Sequence, residues 1–210
     1  MKNTKSKMVV FMGGQGSGKG THSTRLIQDY NFQYVQTGEI LRKAQQESSI
    51  NKEINNGQLA NHEYVFNIVK KTIEGFDNQD VILDGFPHTK DQAKWLVEKY
   101  SGIYEIQIVY LYVNKQVMLD RIQNRIKENT TNGGTARADD LDPKAVEKRI
   151  GIFYQQTLPA IKMLENIANT NHTITFSEVD VNDYDFAKNY KKVCEALELL
   201  KQSEQIANGL

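Results

Sequence analysis

The sequence predicts an α/β protein built on a parallel sheet, and three observations point there. Short apolar runs rich in β-branched and aromatic residues recur along the chain. Segments with helical spacing separate them, as expected when helices cover both faces of a parallel sheet. The 210 residues, 39% hydrophobic, suffice to bury the resulting core. The first run, Met8 to Met12 (MVVFM), opens directly into a glycine-rich stretch. Leu26, Ile27 and Tyr30 then mark a helix, and a weaker run lies at Gln33 to Val35. Val65, Ile68, Val69 and Ile73 mark the next helix before the run Val81 to Leu83 (VIL). Ile106 to Val113 (IQIVYLYV) and Thr173 to Phe176 (TITF) complete the strands. Between those two, Leu119, Ile122 and Ile126 carry helical spacing, as do Val146, Ile150, Phe153 and Tyr154. Val193, Ala196, Leu197 and Leu200 place a closing helix over Phe186 to Leu200. Two segments break the alternation and read as excursions from the core. One is polar, from about Thr37 to Val65; the other is Glu128 to Asp142 (ENTTNGGTARADDLD), turn-forming and loosened by Gly133 and Gly134.

Composition excludes several classes of protein. Lys plus Arg at 26 offset Asp plus Glu at 26, so no net basic field gathers nucleic acid or anionic lipid. Any anionic ligand must be met by locally clustered cations. The single cysteine, Cys194, leaves no intramolecular disulfide and no four-cysteine zinc site, which fits a cytoplasmic compartment. No apolar run approaches the roughly 20 residues of a membrane span, and the stretch after Lys7 is too short for a signal-peptide core. His22, His62 and His172 lack metal-ligand spacing and read as packing or surface residues, while Trp95 and the tyrosines lack the basic interleaving of an RNA platform.

The strongest chemical signal follows the first strand: Gly13, Gly14, Gln15, Gly16, Ser17, Gly18, Lys19, Gly20 and Thr21. Such glycines let successive backbone N–H groups point at a phosphate, the next helix presents its positive end, and the lysine reaches the terminal phosphates. At about 4 Å and an effective dielectric near 20, one such charge pair is worth about 4 kcal/mol before desolvation. The residue after Lys19 is Gly20 and the hydroxyl comes one place later, at Thr21, which argues against direct magnesium ligation by the loop.

The loop GGQGSGKGT, TGEILR at Thr37 to Arg42, LDGFPHTKDQA at Leu83 to Ala93, DRIQNR at Asp120 to Arg125, ARADD at Ala136 to Asp140 and KRI at Lys148 to Ile150 together resemble the adenylate kinase family of nucleoside monophosphate kinases. The resemblance runs in order over about residues 8 to 165. It implies one domain over 1–210 with a three-layer P-loop kinase fold and a five-stranded parallel sheet. It also implies a monophosphate-binding excursion at about 37–66 and a short lid at about 127–143, without structural zinc. The implied reaction is reversible phosphoryl transfer from MgATP to AMP, giving two ADP, by a monomer. For ATP, the resemblance points to Gly14, Gly16, Ser17, Gly18, Lys19, Gly20, Thr21, Arg121 and Arg125. For AMP it points to Thr37, Gly38, Arg42, Leu59, Ala60, Gly85, His88, Gln92, Arg137 and Arg149. Lys19, Arg125, Arg137 and Arg149 are the implied catalytic cations, and Asp84 orients magnesium through water. Asp139 and Asp140 resemble carboxylates that pair with arginine as the lid shuts.

Charge arithmetic supports this reading independently. ATP and a monophosphate bring about 6 negative charges and magnesium removes 2, leaving about 4 for protein cations in a reaction that needs mainly positioning and electrostatics. Arg121 and Arg125 stand at i and i+4 on one helix face, and a guanidinium grips two phosphate oxygens in a fork. By resemblance, Thr37 stands where AMP-selective members of the family carry threonine against the base and Gln92 matches the glutamine that pairs with adenine, which favours AMP. Departures from the family pattern are Gln15 for proline, Glu39 for aspartate, Val181 for glycine and, most consequential, His88 for an arginine on the monophosphate. A phosphate beside His88 favours its protonated form, so activity is expected to rise as pH falls toward that protonation. Two alternatives stand beside the main reading: a kinase for another nucleoside monophosphate, and a nucleotide-binding protein with turnover weakened or lost through His88.

Overall fold

The computed structural model describes residues 5–46, 62–131 and 138–199. Its five strands, β1 (Ser6–Met12), β2 (Gln33–Gln36), β3 (Val81–Asp84), β4 (Tyr104–Tyr112) and β5 (Ile174–Asp180), form one sheet in the order β2-β3-β1-β4-β5, and every neighbouring pair is parallel. Central β1 is apolar without alternation because both faces are covered: Met8, Val9 and Val10 are fully buried. Each such side chain contributes about 1.5–3 kcal/mol by leaving water.

The helices are α1 (Lys19–Tyr30), α2 (Thr37–Gln46), α3 (His62–Glu74), α4 (Lys90–Tyr100), α5 (Lys115–Thr131), α6 (Ala138–Leu141), α7 (Pro143–Ile152), α8 (Leu158–Ala168) and α9 (Phe186–Ala196). Local chemistry starts several of them. Thr89 caps α4 by accepting from Gln92 N at 3.3 Å, Asp142 caps α7 just before Pro143, and Asp185 caps α9 by accepting from Ala187 N at 2.8 Å. By contrast α1 starts at Gly18 with no side-chain cap, which leaves its first N–H groups to the cleft.

Three details differ from the sequence pattern. β5 runs on past Phe176 to Asp180; it is an edge strand, and in its later half only Val179 is buried, so that half lacks an apolar run. The closing helix ends at Ala196, short of Leu200. The spacing that continued through Phe153 and Tyr154 belongs to a π-helical turn, Phe153–Thr157, which joins α7 to α8. The main core lies along the sheet, and a smaller cluster of Ile122, Val146 and Ile150 packs α5 against α7. That second cluster sets Arg121, Arg125 and Arg149 beside the sheet's carboxyl edge.

Candidate active site

At the carboxyl ends of β1 and β3, where the connection after β1 runs to β2 on one side and the connection after β3 runs to β4 on the other, lies a cleft of about 1270 Å3. Phe11 pairs with Asp84, so the glycine-rich loop after β1 and the turn after β3 emerge side by side. The loop packs too tightly for side chains. A Cβ on Gly13 would stand 2.7 Å from Ser17 Oγ and 2.8 Å from the Leu111 carbonyl, and one on Gly16 would stand 2.9 Å from the Met118 carbonyl. Both have positive φ, which glycine alone adopts without strain. Lys19 Nζ donates to the Gly13 carbonyl at 2.8 Å and the Gly14 carbonyl at 2.9 Å, which folds the ammonium over the loop's mouth. Ser17 is buried, Thr21 is exposed, and Gly14, Gly18, Gly20 and Thr21 line the cleft.

Asp84, 6% exposed, ends β3. Its Oδ2 accepts from the Tyr34 hydroxyl at 3.0 Å, and among the described residues no cation stands within ion-pair distance of it. A Cβ on Gly20 would stand 3.5 Å from that oxygen, so the bare glycine leaves room above the carboxylate. No group of three histidine, cysteine, aspartate or glutamate residues among the described residues could hold a metal by itself.

The opposite wall carries the arginines. Arg125 Nη2 lies 2.7 Å from Asp140 Oδ2 and Arg149 Nη1 lies 3.2 Å from Asp140 Oδ1, so one buried carboxylate joins α5 to α7. Arg121, although it lines the cleft, spends its fork on backbone. It donates to the carbonyls of Gly16 at 3.1 Å, Val181 at 2.6 Å and Asp183 at 2.7 Å, fastening the loop to the β5–α9 connection. The expected side-by-side grip of Arg121 and Arg125 is therefore divided between two tasks.

Between floor and wall stands His88, half-buried, with Thr157 Oγ1 3.5 Å from its Nδ1. Burial first, then the charges of Lys19 and Arg149, push its pKa down to about 4. In the nucleotide-free protein the protonation toward which activity is expected to rise is thus displaced to acid pH, because two cations already face the ring. Gln92, 2% exposed, accepts the His88 backbone N–H at 2.7 Å through Oε1. Thr37, 1% exposed at the start of α2, has no partner for its hydroxyl among the described residues. Gly38 and Gly85 line the same end. His22 is a packing residue, stacked on Phe186 at 5.0 Å between ring centroids.

Leu59, Ala60 and Arg137 lie outside the described residues, as do the side chains of Arg42 and Asp139. Sequence reasoning passed over Tyr34 and Thr157. Tyr34 sat in a run read only as strand, and Thr157 became a cleft residue through a π-helical turn that no spacing announced.

A parallel sheet, a glycine-rich loop that enters a helix, and cations converging on the mouth of that loop define a nucleotide-dependent phosphotransferase of the nucleoside monophosphate kinase class. Comparison with known proteins agrees. The adenylate kinase family profile matches residues 11–169. An adenylate kinase of Agrobacterium fabrum is 34% identical over 159 residues, covering 72% of this chain and 81% of that protein. One from Deinococcus radiodurans is 31% identical over 193 residues, covering 87% and 94%. Mouse adenylate kinase isoenzyme 5 is 32% identical over 167 residues, covering 76% of this chain and 28% of the mouse protein. The chain belongs to the adenylate kinase family.

Proposed function

We propose that this protein transfers the terminal phosphoryl group of ATP to AMP, reversibly, giving two ADP. The observation that carries the reading is the cleft itself, where Lys19, Arg125 and Arg149 face one another across a glycine-rich loop set at the carboxyl end of β1. In the forward step a phosphate oxygen of AMP attacks the γ-phosphorus of ATP as the bond to the β–γ bridging oxygen breaks. Negative charge spreads over the equatorial oxygens, and preorganised cations stabilise it without further reorganisation. Lys19 holds the β and γ phosphates, while Arg125, Arg149 and Arg137 neutralise the group in flight. Gly14, Gly16, Ser17, Gly18, Gly20 and Thr21 cradle the donor phosphates, and Arg121 secures that cradle. Thr37, Gly38, Leu59, Ala60, Gly85 and Gln92 receive AMP, with Arg42 and His88 at its phosphate.

Magnesium, which screens the phosphates and fixes their geometry when it arrives with ATP, suits the residues present. Asp84 is a buried carboxylate with no cation at ion-pair distance among the described residues, and Gly20 leaves space beside it for water. A magnesium ion keeps several waters and borrows phosphate oxygens, so one oriented carboxylate is enough. Asp84 would hold that hydrated ion. The excursion at about 37–66 and the lid at about 127–143 exclude water, which would otherwise take the activated phosphoryl group. The buried, free Cys194 supports a cytoplasmic compartment, and the expected state is a monomer. Neither alternative, another acceptor or lost turnover, is favoured by the comparisons.

The test is ADP formation from MgATP with AMP, CMP, UMP, GMP and dTMP offered separately. Turnover with AMP and little with the others is expected; preferred turnover with another monophosphate, or none with any, overturns the reading.

A further inference from the structure

Nothing in the transfer of a phosphoryl group calls for a phenol, yet one stands against the carboxylate at the foot of the cleft. Tyr34 and Gln36 lie two residues apart on β2 and so share a face, and Gln36 pairs with Asp84 in register. The Tyr34 hydroxyl reaches Asp84 Oδ2 at 3.0 Å across a sequence separation of 50. On the Gly20 side no side chain intervenes. A Cβ there would stand 3.5 Å from Asp84 Oδ2 and 3.9 Å from both the Tyr34 oxygen and Gln36 Nε2. The carboxylate is therefore framed by two polar side chains and one bare backbone position.

We propose that Tyr34 is a positioning residue for the metal-bound nucleotide: by donating to Asp84 Oδ2 it fixes the rotation in which the carboxylate meets the hydrated magnesium. The inference rests on the reading of Asp84 as the magnesium-orienting residue. A buried carboxylate can be held in two ways. An arginine or lysine would hold it firmly but would neutralise the charge that attracts magnesium. A phenol holds one oxygen while leaving the charge intact. Partners that orient a metal-facing group commonly change metal affinity by about 10- to 100-fold when removed, and the lower end is expected where water intervenes.

The experiment measures calorimetric affinity for the β,γ-imido analogue of ATP, with magnesium and with EDTA. The ratio of the two affinities reports the contribution of the metal alone, without turnover. Tyr34→Phe keeps the ring and removes the donor. It should lower that ratio about tenfold while leaving the metal-free affinity unchanged. Asp84→Asn should lower the ratio at least as far, and adding Tyr34→Phe to it should do nothing more, since a positioning residue acts only through the group it positions. An unchanged ratio in Tyr34→Phe beside a lowered one in Asp84→Asn overturns the proposal and leaves the role of Asp84 standing. Equal weakening with and without metal in Tyr34→Phe, or additive losses in the double variant, also overturn it, because the phenol would then act on packing or on the nucleotide directly. No change in either single variant removes the magnesium reading of Asp84 together with the proposal.

Discussion

Two buried carboxylates, Asp84 lining the cleft and Asp140 paired with two arginines that line it, are held in opposite ways. Asp140, on the α6 turn, sits between Arg125 and Arg149 at 2.7 and 3.2 Å. Asp84, at the end of β3, is steadied by a neutral phenol and has no cation at ion-pair distance among the described residues. The first is a structural joint whose charge is already matched. The second keeps its charge unspent, at a desolvation cost that only an arriving cation repays. The difference separates what holds the wall together from what meets the substrate, although both residues are aspartates of similar burial.

Exchanging each for asparagine should pull activity and stability apart. Asp84→Asn removes the unmatched charge, and the amide oxygen still accepts from Tyr34. The expected result is a loss of kcat/KM of about 10²–10³-fold with MgATP and AMP, the scale of removing one preorganised electrostatic group. Its melting temperature should not fall, because an unpaired buried charge has been replaced by a neutral group. A protein that melts much earlier, with activity intact, would reverse the roles assigned to the two carboxylates.

Asp140→Asn should do the opposite, at smaller scale. Breaking a fully buried pair costs about 3–5 kcal/mol, but the arginine side chains retain 32% and 21% exposure and can turn to water. A loss of about 1–3 kcal/mol in urea unfolding is expected, with α7 loosening from α5. An unfolding midpoint equal to that of the parent would show that the apolar cluster of Ile122, Val146 and Ile150 alone holds the wall.

Much of this comparison was legible before any coordinates, but unevenly. The glycine-rich loop and the sheet were readable because their signals are contiguous: a strand that buries both faces shows an unbroken apolar run, and the loop spells its turn in adjacent glycines. The arginines were readable as a set, since a polyanionic substrate demands them, yet their partners were not. Arg121 donates to carbonyls 60 and 62 residues away, a use that carries no side-chain signature because any residue supplies a carbonyl. The Tyr34–Asp84 contact likewise crosses diagonally between β2 and β3, and the spacing within either strand says nothing about the register between them. The π-helical turn that brings Thr157 to His88 keeps helical spacing almost unchanged, so its extra residue per turn was invisible.

His88 lies between the two sides and gives the smallest effect. With its pKa lowered to about 4 by burial and by the charges of Lys19 and Arg149, the folded chain leaves the ring neutral where an unfolded chain, at 6.5, would begin to protonate it. Between pH 6.5 and 4 the unfolded state therefore binds the extra proton, so this residue's contribution to stability is full above 6.5 and is lost as pH falls toward 4. The same neutrality fixes the catalytic expectation: the KM for AMP should show no His88 titration between about pH 6 and 8. Replacing the ring by a permanent charge tests both statements. His88→Arg exchanges a neutral hydrogen bond for a charge-assisted one, a gain of about 1 kcal/mol or somewhat more, so the KM for AMP should fall about five- to tenfold. In the absence of nucleotide the same charge faces Lys19 and Arg149, and the variant should melt earlier than the parent until AMP is added. A KM for AMP that is unchanged in His88→Arg would move His88 away from the acceptor phosphate and leave the grip to the arginines alone.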